Sequence, residues 1–328
     1  MALRLAVAST TSLEDARALE HEWRALAACA AEVTPFQYPE WILPWYETWA
    51  PDRIRLITVR DHDAELRAVV PAVVQQSQLE LAGSGVGDYL GPVLLDSSEE
   101  IAAAIDEELS SLCLPVRFND LPADAAWVRA VRETGRWQVR SSSACPVAPL
   151  PETASAWHLS LPHGLRRNLK RYRERLNDDA DVRFETVTRE DEVAAVIGAL
   201  IALHTRRWHE RGLPGVLGDD RVRHFHTTAA PLLARSGLVQ LHALYAGREV
   251  VGVHYVLVRG SRAFSYLAGF DPSWDAYSPG TLLMAYAIEQ AIAAGCREFD
   301  FLWGREPYKY RWGAVDHCSL SLWRDGIS

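Results

Sequence analysis

Lysine is nearly absent from this sequence, in which Lys170 and Lys309 are the only lysines among 34 basic residues. The five cysteines are scattered and form no C-x-x-C pair, so we predict neither a disulfide framework nor a zinc site. No apolar run approaches the roughly 18 residues of a membrane span, and residues 1–10, with Arg4 inside their apolar part, lack a signal-peptide core. These absences predict a cytoplasmic protein without a metal and without membrane contact.

Two domains are expected from the length of the chain. Its 328 residues exceed the roughly 250 to 300 at which a single hydrophobic core stops growing. The content of 48% hydrophobic and 23% charged residues excludes a mainly disordered or fibrous chain. Residues 1–150 carry 12 basic and 22 acidic residues, whereas residues 151–328 carry 22 basic and 21 acidic ones, which favours the second half as the anion binder. We predict domains at these two ranges, joined by a Pro- and Ser-rich linker at residues 141–155.

Both halves show the same order of secondary-structure signals: strand, helix, hairpin, helix, strand. In the first half the signals for the opening strand, the aromatic helix, the hairpin and the following helix fall at residues 3–8, 39–49, 54–59 with 66–74, and 99–113. In the second half a basic helix, a strand, a three-stranded meander and a helix fall at residues 164–176, 182–187, 238–270 and 278–295. We predict an α/β (α+β) fold of two similar domains, each a mixed, mostly antiparallel sheet flanked by helices.

A helix start follows directly after the meander. Ser278-Pro279-Gly280 combines an N-cap residue with proline at the first helical position. The backbone N–H groups of Gly280, Thr281 and Leu282 and the positive end of the helix dipole then form a candidate phosphate site. Many helices begin in this way without a ligand, so the motif alone leaves both interpretations open.

Seven strings, in order along nearly the whole chain, resemble the GNAT acyltransferase superfamily. The resemblance is to the branch with tandem GNAT-like domains, the CelD/BcsL-type acetyltransferases, which is related to the Fem-type aminoacyltransferases. The strings are Phe36-Gln-Tyr-Pro-Glu-Trp41, Gly83-Ser-Gly-Val-Gly-Asp-Tyr89, Leu165-Arg-Arg-Asn-Leu169, Leu203-His-x-x-Arg-Trp208, Gly269-Phe-Asp-Pro272, Tyr277-Ser-Pro-Gly280, and Phe299-Asp-Phe-Leu-x-Gly304 with Glu306-Pro-Tyr-Lys-Tyr-Arg-Trp-Gly313.

The resemblance implies an acyl donor bound across the strands of the second domain. Its acyl group would lie near Ser265, Tyr266, Leu267, Ala268 and Gly269, and its phosphates near Ser278, Gly280, Thr281 and Leu282. The resemblance implies acyl-CoA as this donor, with acetyl-CoA first. The usual signature Arg/Gln-x-x-Gly-x-Gly/Ala is missing here, and Fem-type relatives, which also lack it, use aminoacyl-tRNA.

Lys309 is the leading catalytic candidate. A chain that uses Arg at nearly every basic position keeps Lys by chance or where a compact ammonium is needed. The segment 306–313 resembles the Phe-Lys-x-x-Phe-Gly turn of Fem-type enzymes, and an ammonium there would stabilise the oxyanion of acyl transfer or hold a phosphate. The alternative is a surface lysine on a structural turn.

Acyl transfer also needs a general base and an acceptor site. The base candidates are Asp88, ranked first, Asp271, Asp300 and His204, although each also has an ordinary structural explanation as a turn, anchoring or interior residue. Residues predicted to contact substrate are Tyr89, Arg207, Trp208, Tyr308, Arg311 and Trp303, together with Arg167 and Lys170 on the basic helix, whose cations could equally form a solvated face.

The leading hypothesis is an N- or O-acyltransferase with a biosynthetic role. An amine or hydroxyl of a small or sugar-like acceptor, held between the domains, would attack the acyl thioester directly, without a metal or a covalent enzyme intermediate. One alternative is an aminoacyl-tRNA-dependent transferase, which the basic helix favours. Another is a degenerate pair of domains that only binds a metabolite or partner. The sequence is compatible with a monomer or a homodimer.

Overall fold

The computed structural model describes residues 5–96, 98–179 and 181–326, so Leu3 and Arg4 of the predicted first strand lie outside the described residues. In chain order the strands are β1 (Ala6–Thr10), β2 (Ile54–Arg60), β3 (Leu66–Gln75), β4 (Gln78–Leu81), β5 (Val93–Leu94), β6 (Val116–Pro122), β7 (Gln138–Pro149), β8 (Val182–Val187), β9 (Val239–Ala246), β10 (Glu249–Arg259), β11 (Arg262–Phe270), β12 (Glu298–Asp300) and β13 (Val315–Arg324). The helices are α1 (Leu13–Ala18), α2 (Glu20–Cys29), α3 (Pro39–Trp49), α4 (Glu99–Ser111), α5 (Ala126–Glu133), α6 (Ala154–Ser160), α7 (His163–Asp179), α8 (Glu190–Glu210), α9 (Asp220–Arg235), α10 (Pro279–Ala293) and α11 (Pro307–Tyr310), with 3-10 turns at Pro35–Gln37, Val216–Gly218 and Pro272–Tyr277.

The chain divides into two compact units. Unit 1 contains Met1–Ala144 and His317–Ser328, and unit 2 contains Cys145–Asp316. The chain therefore enters unit 2 within β7 and leaves it within β13. This division differs from the predicted domain ranges because the end of the chain belongs to unit 1, where β13 pairs with β6.

Unit 1 is built on a mostly antiparallel sheet in the order β1-β2-β3-β4-β6-β13, with β5 beside β3. The single parallel pair among the described ladders of this unit joins β4 to β6. The predicted helix at residues 39–49 is α3, and its aromatic face is core, since Trp41 is fully buried and Trp45 nearly so. These residues pack as hydrophobic core rather than lining a cleft.

Unit 2 is built on the sheet order β7-β12-β11-β10-β9-β8, in which residues 145–149 of β7 belong to this unit. The predicted meander is confirmed as β9, β10 and β11, and β12 joins β11 in parallel. Helices cover both faces of this sheet. His254 bonds to α10, whereas the next residue, Tyr255, packs against His226 of α9. Since neighbouring residues of a strand point to opposite sides, α9 and α10 lie on opposite faces. The expected mixed, mostly antiparallel sheets flanked by helices are therefore confirmed in both units.

The predicted linker at residues 141–155 is wrong. Residues 138–149 form β7, and the chain continues into α6 at Ala154. Residues 147–149 pair with β12, so the backbone hydrogen bonds of this Pro- and Ser-rich run come from strands distant in sequence.

Sequence patterns also failed to predict β4, α5, α6 and α9. Among the described residues, no helix is both long enough and apolar enough to cross a bilayer.

Candidate active site

The central feature of unit 2 is a strand that loses its neighbour halfway along. β11 pairs in parallel with β12 only through Phe264↔Asp300, after which β12 ends. Residues 265–268 are half-buried although β11 lies between two other strands in the sheet order. The strand thus presents a partly accessible edge, and such an edge binds an extended ligand through main-chain groups.

A β-bulge shapes this edge. Tyr255 is opposite Leu267 and Val256 is opposite Ser265, so Tyr266 is an extra residue on β11. Bulges of this kind redirect side chains and are frequent beside active sites. The five residues that the resemblance assigned to the acyl group are therefore on one continuous, bulged strand segment, with Ser265 directly at the point where β11 and β12 part.

The start of α10 lies at the end of the same strand. Ser278 has left-handed backbone angles and Pro279 is the first helical residue. The N–H groups of Thr281 and Leu282 bond the Ser278 carbonyl at 3.0 and 3.2 Å, so two of the three predicted phosphate donors are used within the helix. A Cβ on Gly280 would lie 2.8 Å from Cε1 of Phe270, which shows how closely the end of β11 packs against this helix start.

Side chains of the basic helix, confirmed as α7, contact the segment that leads into α10. The guanidinium of Arg175 donates to the Ala276 carbonyl at 3.2 Å. Tyr172 bonds the side chain of Ser278, and this bond, followed by the neighbouring Arg171, lowers the pKa of Tyr172. The charge of Arg311 also acts on Tyr172. The helix dipole and these three arginines thus favour an anion at the same place.

The two predicted substrate residues of α7 lie on different rows of the helix. Arg167 is exposed and shares the i, i+4 row of Arg171 and Arg175, whereas Lys170 is on the neighbouring row, where its Nζ lies 3.7 Å from Glu174. With Arg166 and His158, Lys170 lines a separate open groove of about 340 Å³. The row that reaches the start of α10 at Arg175 is therefore the row of Arg167, and its other members Arg171 and Arg175 were not among the predicted substrate residues.

The last turns of α8 support β11 from the other side. A Cβ on Gly269 would lie 2.9 Å from the backbone nitrogen of His204, so glycine allows the strand and the helix to meet. The guanidinium of Arg207 lies 4.1 Å from the centre of the Phe270 ring. Burial, with help from Arg207, lowers the pKa of His204 to about 4, so this histidine is neutral at pH 7. Trp208, partly buried, lies against Gly215.

The turn after β12 is held by two of the predicted catalytic residues. Asp300 accepts a hydrogen bond of 2.7 Å from the backbone N–H of Leu302, whose φ is +58°. The buried Lys309 donates from Nζ to the carbonyls of Leu302, Trp303 and Gly304 at 3.2, 2.6 and 3.1 Å, and it lies 2.9 Å from a carboxylate oxygen of Glu306. The three hydrogens of an ammonium are matched by these acceptors, so in this structure Lys309 holds the turn.

Aromatic side chains stand at the surface of this segment. Trp303 is 60% exposed and Tyr308 is 40% exposed, whereas most tryptophans of the described chain are buried. Burial of its hydroxyl and the charge of Glu306 raise the pKa of Tyr308 to about 12, against an opposing effect of Arg207. The charge of Arg207, whose guanidinium lies at the Phe270 ring, thus also acts on Tyr308.

Asp271 has a structural role in the turn that follows β11. It accepts from the backbone N–H and hydroxyl of Ser273 and caps the turn at Pro272–Tyr277. Burial acts to raise its pKa, but the bonds from Ser273 and an ion pair with Arg206 hold that pKa below its ordinary value. A carboxylate held in this way is a weak proton acceptor.

Asp88 and Tyr89 belong to unit 1. Asp88 is half-buried, and Tyr89 is 4% exposed, with its carbonyl accepting from the hydroxyl of Thr34. The glycine-rich loop around them packs tightly, since a Cβ on Gly83 would lie 2.7 Å from the side chain of Leu90. The close approach that these glycines permit is thus made with unit 1's own core.

Sequence analysis missed the partner of Ser265, which is the buried His254 on the adjacent strand. Nε2 of His254 lies 2.8 Å from the hydroxyl oxygen of Ser265, and the imidazole also bonds the backbone of Leu283 on α10. The signal in the sequence was one histidine in each of two neighbouring strands, His242 in β9 and His254 in β10, which lie opposite each other in the ladder. Only the ladder shows that one of them meets the strand edge.

Known proteins share this architecture. The family profile of the acetyltransferase (GNAT) domain matches residues 163–310. FemX superposes with a TM-score of 0.66 at 11% identity, over 92% of this chain and 95% of FemX. A conserved protein of unknown function from Bacteroides thetaiotaomicron gives 0.65 at 12% identity, covering 97% and 99% of the two chains, and L-PGS from Bacillus licheniformis gives 0.59 at 11%, covering 97% and 93%. A search of curated protein sequences finds no match. At these identities the structural likeness establishes the fold alone.

Proposed function

Residues 163–310 form an acetyltransferase (GNAT) domain, and from this premise we propose that the protein is an acyltransferase that moves an acyl group from a thioester donor to an amine or hydroxyl. The observation that carries the proposal is the parting of β11 from β12 after Phe264, directly beside the start of α10. An extended donor bound along residues 265–268 would have its acyl group at the strand edge and its phosphates at the helix start.

The charge around α10 supports a phosphorylated donor. Arg171, Arg175 and Arg311 contribute positive charge at a helix start, where the dipole adds to it. We propose acyl-CoA as this donor, with acetyl-CoA first, and Tyr308, Trp303 and Arg207 as contacts for the acceptor. Asp88 stays our predicted base from unit 1.

Thermal unfolding against a panel of acyl-CoAs tests the donor. A ligand that binds only the folded state raises the unfolding midpoint in a concentration-dependent way. We expect a rise with one thioester, a smaller rise in Arg171→Ala, and an unchanged rise in Arg166→Ala, which removes an arginine from the other row of α7. No rise with coenzyme A or any thioester at millimolar concentration would contradict an acyl-CoA donor.

An aminoacyl-tRNA donor is the second candidate. The observations that favour it are the six cations of α7 and the one-glycine helix start. Phosphate contacts make such binding steeply salt-dependent. Activity that requires aminoacyl-tRNA, falls with salt and is lost after ribonuclease treatment would support this donor, and transfer from purified acyl-CoA alone would contradict it. Ligand binding without transfer at any pH would instead indicate a binding protein.

A further inference from the structure

Unit 1 contains a cavity of about 110 Å³ that is separate from the candidate active site of unit 2. Its wall comes from three segments of unit 1: the connection after α2 at residues 31–37, β5 with its flanks at residues 90–96, and the end of β6 with the start of α5 at residues 121–128. The described residues that line it include none of the predicted site residues. The cavity thus has no part in the function argued above.

Hydrogen bonds between the three segments hold this cavity open. The buried amide of Gln37 donates from Nε2 to the carbonyl of Pro92 at 3.1 Å. A carboxylate oxygen of Glu32 accepts at 2.7 Å from the backbone N–H of Ala126, the first residue of α5. The backbone N–H of Leu90 donates to a carbonyl of β6 at 2.9 Å. Each segment is therefore tied to the other two, and the cavity cannot shrink without breaking one of these bonds.

Trp127 brings a hydrogen-bond donor to the wall of the cavity. It is 3% exposed, and its indole Nε1 has no hydrogen-bond partner among the described residues. The indole ring is fixed between Phe118 and Trp137, whose ring centres lie 6.0 Å away. An indole N–H can only donate, and a buried donor without an acceptor costs free energy. A ligand that offers an acceptor atom would remove this cost.

Glu32 brings an acceptor to the same wall. Its Oε1 lies 3.9 Å from the nearest nitrogen of Arg129, too far for a hydrogen bond, so this oxygen can accept from a ligand. The side chains of Glu32 and Asp96 are 49% and 46% exposed and mark the rim of the cavity. Residues 1–150 carry 22 acidic against 12 basic residues. Two carboxylates at the rim and this acidic surrounding disfavour a negatively charged ligand.

We propose that this cavity binds an uncharged amide, the carboxamide or N-acyl group of a small molecule. The amide is the group that combines a neutral acceptor for Trp127 with an N–H donor for Glu32. Its methyl or methylene carbon would pack against Leu90, Leu121 and Val128, which are each 1% exposed. A cavity of about 150 Å³ holds the six carbons of benzene, so one of 110 Å³ admits about four non-hydrogen atoms, the size of acetamide. The proposal is independent of the acyltransferase function.

The indole N–H of Trp127 reports directly on this site. The full-length protein, labelled with ¹⁵N, would be titrated with acetamide while its indole resonances are recorded. We expect a saturable shift of the Trp127 resonance, identified by its absence in Trp127→Phe. Trp137 donates to Asp106 at 2.8 Å, and Trp157 has an equally buried indole in unit 2, so their resonances should stay in place. Because mainly one of the 12 indole resonances should move, the titration is informative even if Trp127→Phe does not fold.

Ligands and variants of matched size define the chemistry of the site. Acetone has the carbonyl without the N–H and should bind about 2- to 12-fold more weakly than acetamide, the factor that one hydrogen bond supplies. Acetate has the same number of non-hydrogen atoms and should bind more weakly because of its charge. Ala126→Leu fills the cavity from its wall and should abolish the shift, whereas Ala130→Leu, one turn further along α5 and outside the wall, should preserve it.

Three results would overturn the proposal. A Trp127 resonance that acetamide leaves in place at every concentration at which the protein is folded would show that the cavity holds water at most. An equal shift of the Trp157 resonance would show a non-specific effect of the solute. Acetate binding as tightly as acetamide, or acetone as tightly as acetamide, would exclude an amide as the ligand class.

Discussion

Replacing Lys309 by methionine separates its structural role from a direct role in chemistry. Methionine preserves the aliphatic volume but removes the ammonium that three carbonyls share. The bond to the Leu302 carbonyl is buried, those to Trp303 and Gly304 are partly buried, and the ion pair with the half-exposed Glu306 adds little. Hydrogen bonds to a charged group contribute about 1.5 to 3 kcal/mol when they are buried, so one full and two reduced contributions give a loss of about 2 to 4 kcal/mol.

The loss should be visible in thermal unfolding. For a unit the size of residues 145–316, 1 kcal/mol corresponds to roughly 2 to 4 °C, so Lys309→Met should lower the midpoint by roughly 4 to 16 °C. The only other lysine supplies the control. Lys170 is 77% exposed and makes a surface pair with Glu174, worth about 0.3 to 0.5 kcal/mol, so Lys170→Met should shift the midpoint by less than about 2 °C.

The comparison with turnover decides between the two roles. If Lys309 acts by holding the turn, activity and the unfolding midpoint fall together. An unchanged midpoint in Lys309→Met would refute the reasoning from hydrogen bonds. An unchanged midpoint combined with a large loss of turnover would instead support the oxyanion role that the resemblance implied.

Three further predictions follow from burial, packing and the base assignment. Burial lowers the pKa of four histidines of unit 2 to about 3 or 4 from an ordinary 6.5; they are His204, His226, His242 and His254. The folded protein binds fewer protons than the unfolded chain, so its stability is highest above pH 6.5 and falls as the pH decreases towards 4, by about 2 kcal/mol per histidine at pH 5. An unfolding midpoint that stays constant from pH 7 to 5 would contradict this. Gly280→Ala should destabilise the protein by about 1 to 3 kcal/mol through overlap with Phe270, Phe270→Leu should relieve part of that cost in denaturant unfolding, and additive losses would argue against the clash. Asp88→Asn should lower turnover by about 10²-fold when rates are compared at temperatures where the variant is fully folded, and wild-type turnover would remove Asp88 as the base.

Local sequence patterns were sufficient for elements whose signals lie within one segment. The helix at Pro39–Trp49 begins with a proline at its first position and was predicted with both ends correct. The hairpin of β2 and β3 and the meander of β9 to β11 were predicted because alternating apolar residues flank short turns. A strand at residues 137–141 was also predicted and forms the start of β7, but patterns failed over the rest of β7, which was predicted as a linker and whose partner β12 lies far away in the chain.

The candidate site shows the same division. The family strings correctly indicated the GNAT architecture, and they named the strand segment and the helix start that unit 2 brings together. They could not show that the ammonium of Lys309 is shared among three carbonyls, because a side chain's partners depend on the path of a turn and not on residue type. They likewise could not show that Asp271 forms an ion pair with Arg206, because Arg206 lies on another element, α8.

The amino-acid sequence by itself determined the local elements, the mostly antiparallel sheets and the chemical character of each segment, because these depend on periodicity, turn residues and charge along a few consecutive residues. Tertiary structure alone decided where β12 ends beside β11, which row of α7 faces the start of α10, and that His254 meets Ser265 across two strands. Such contacts depend on strand register and on helix rotation, which are set by packing over the whole unit.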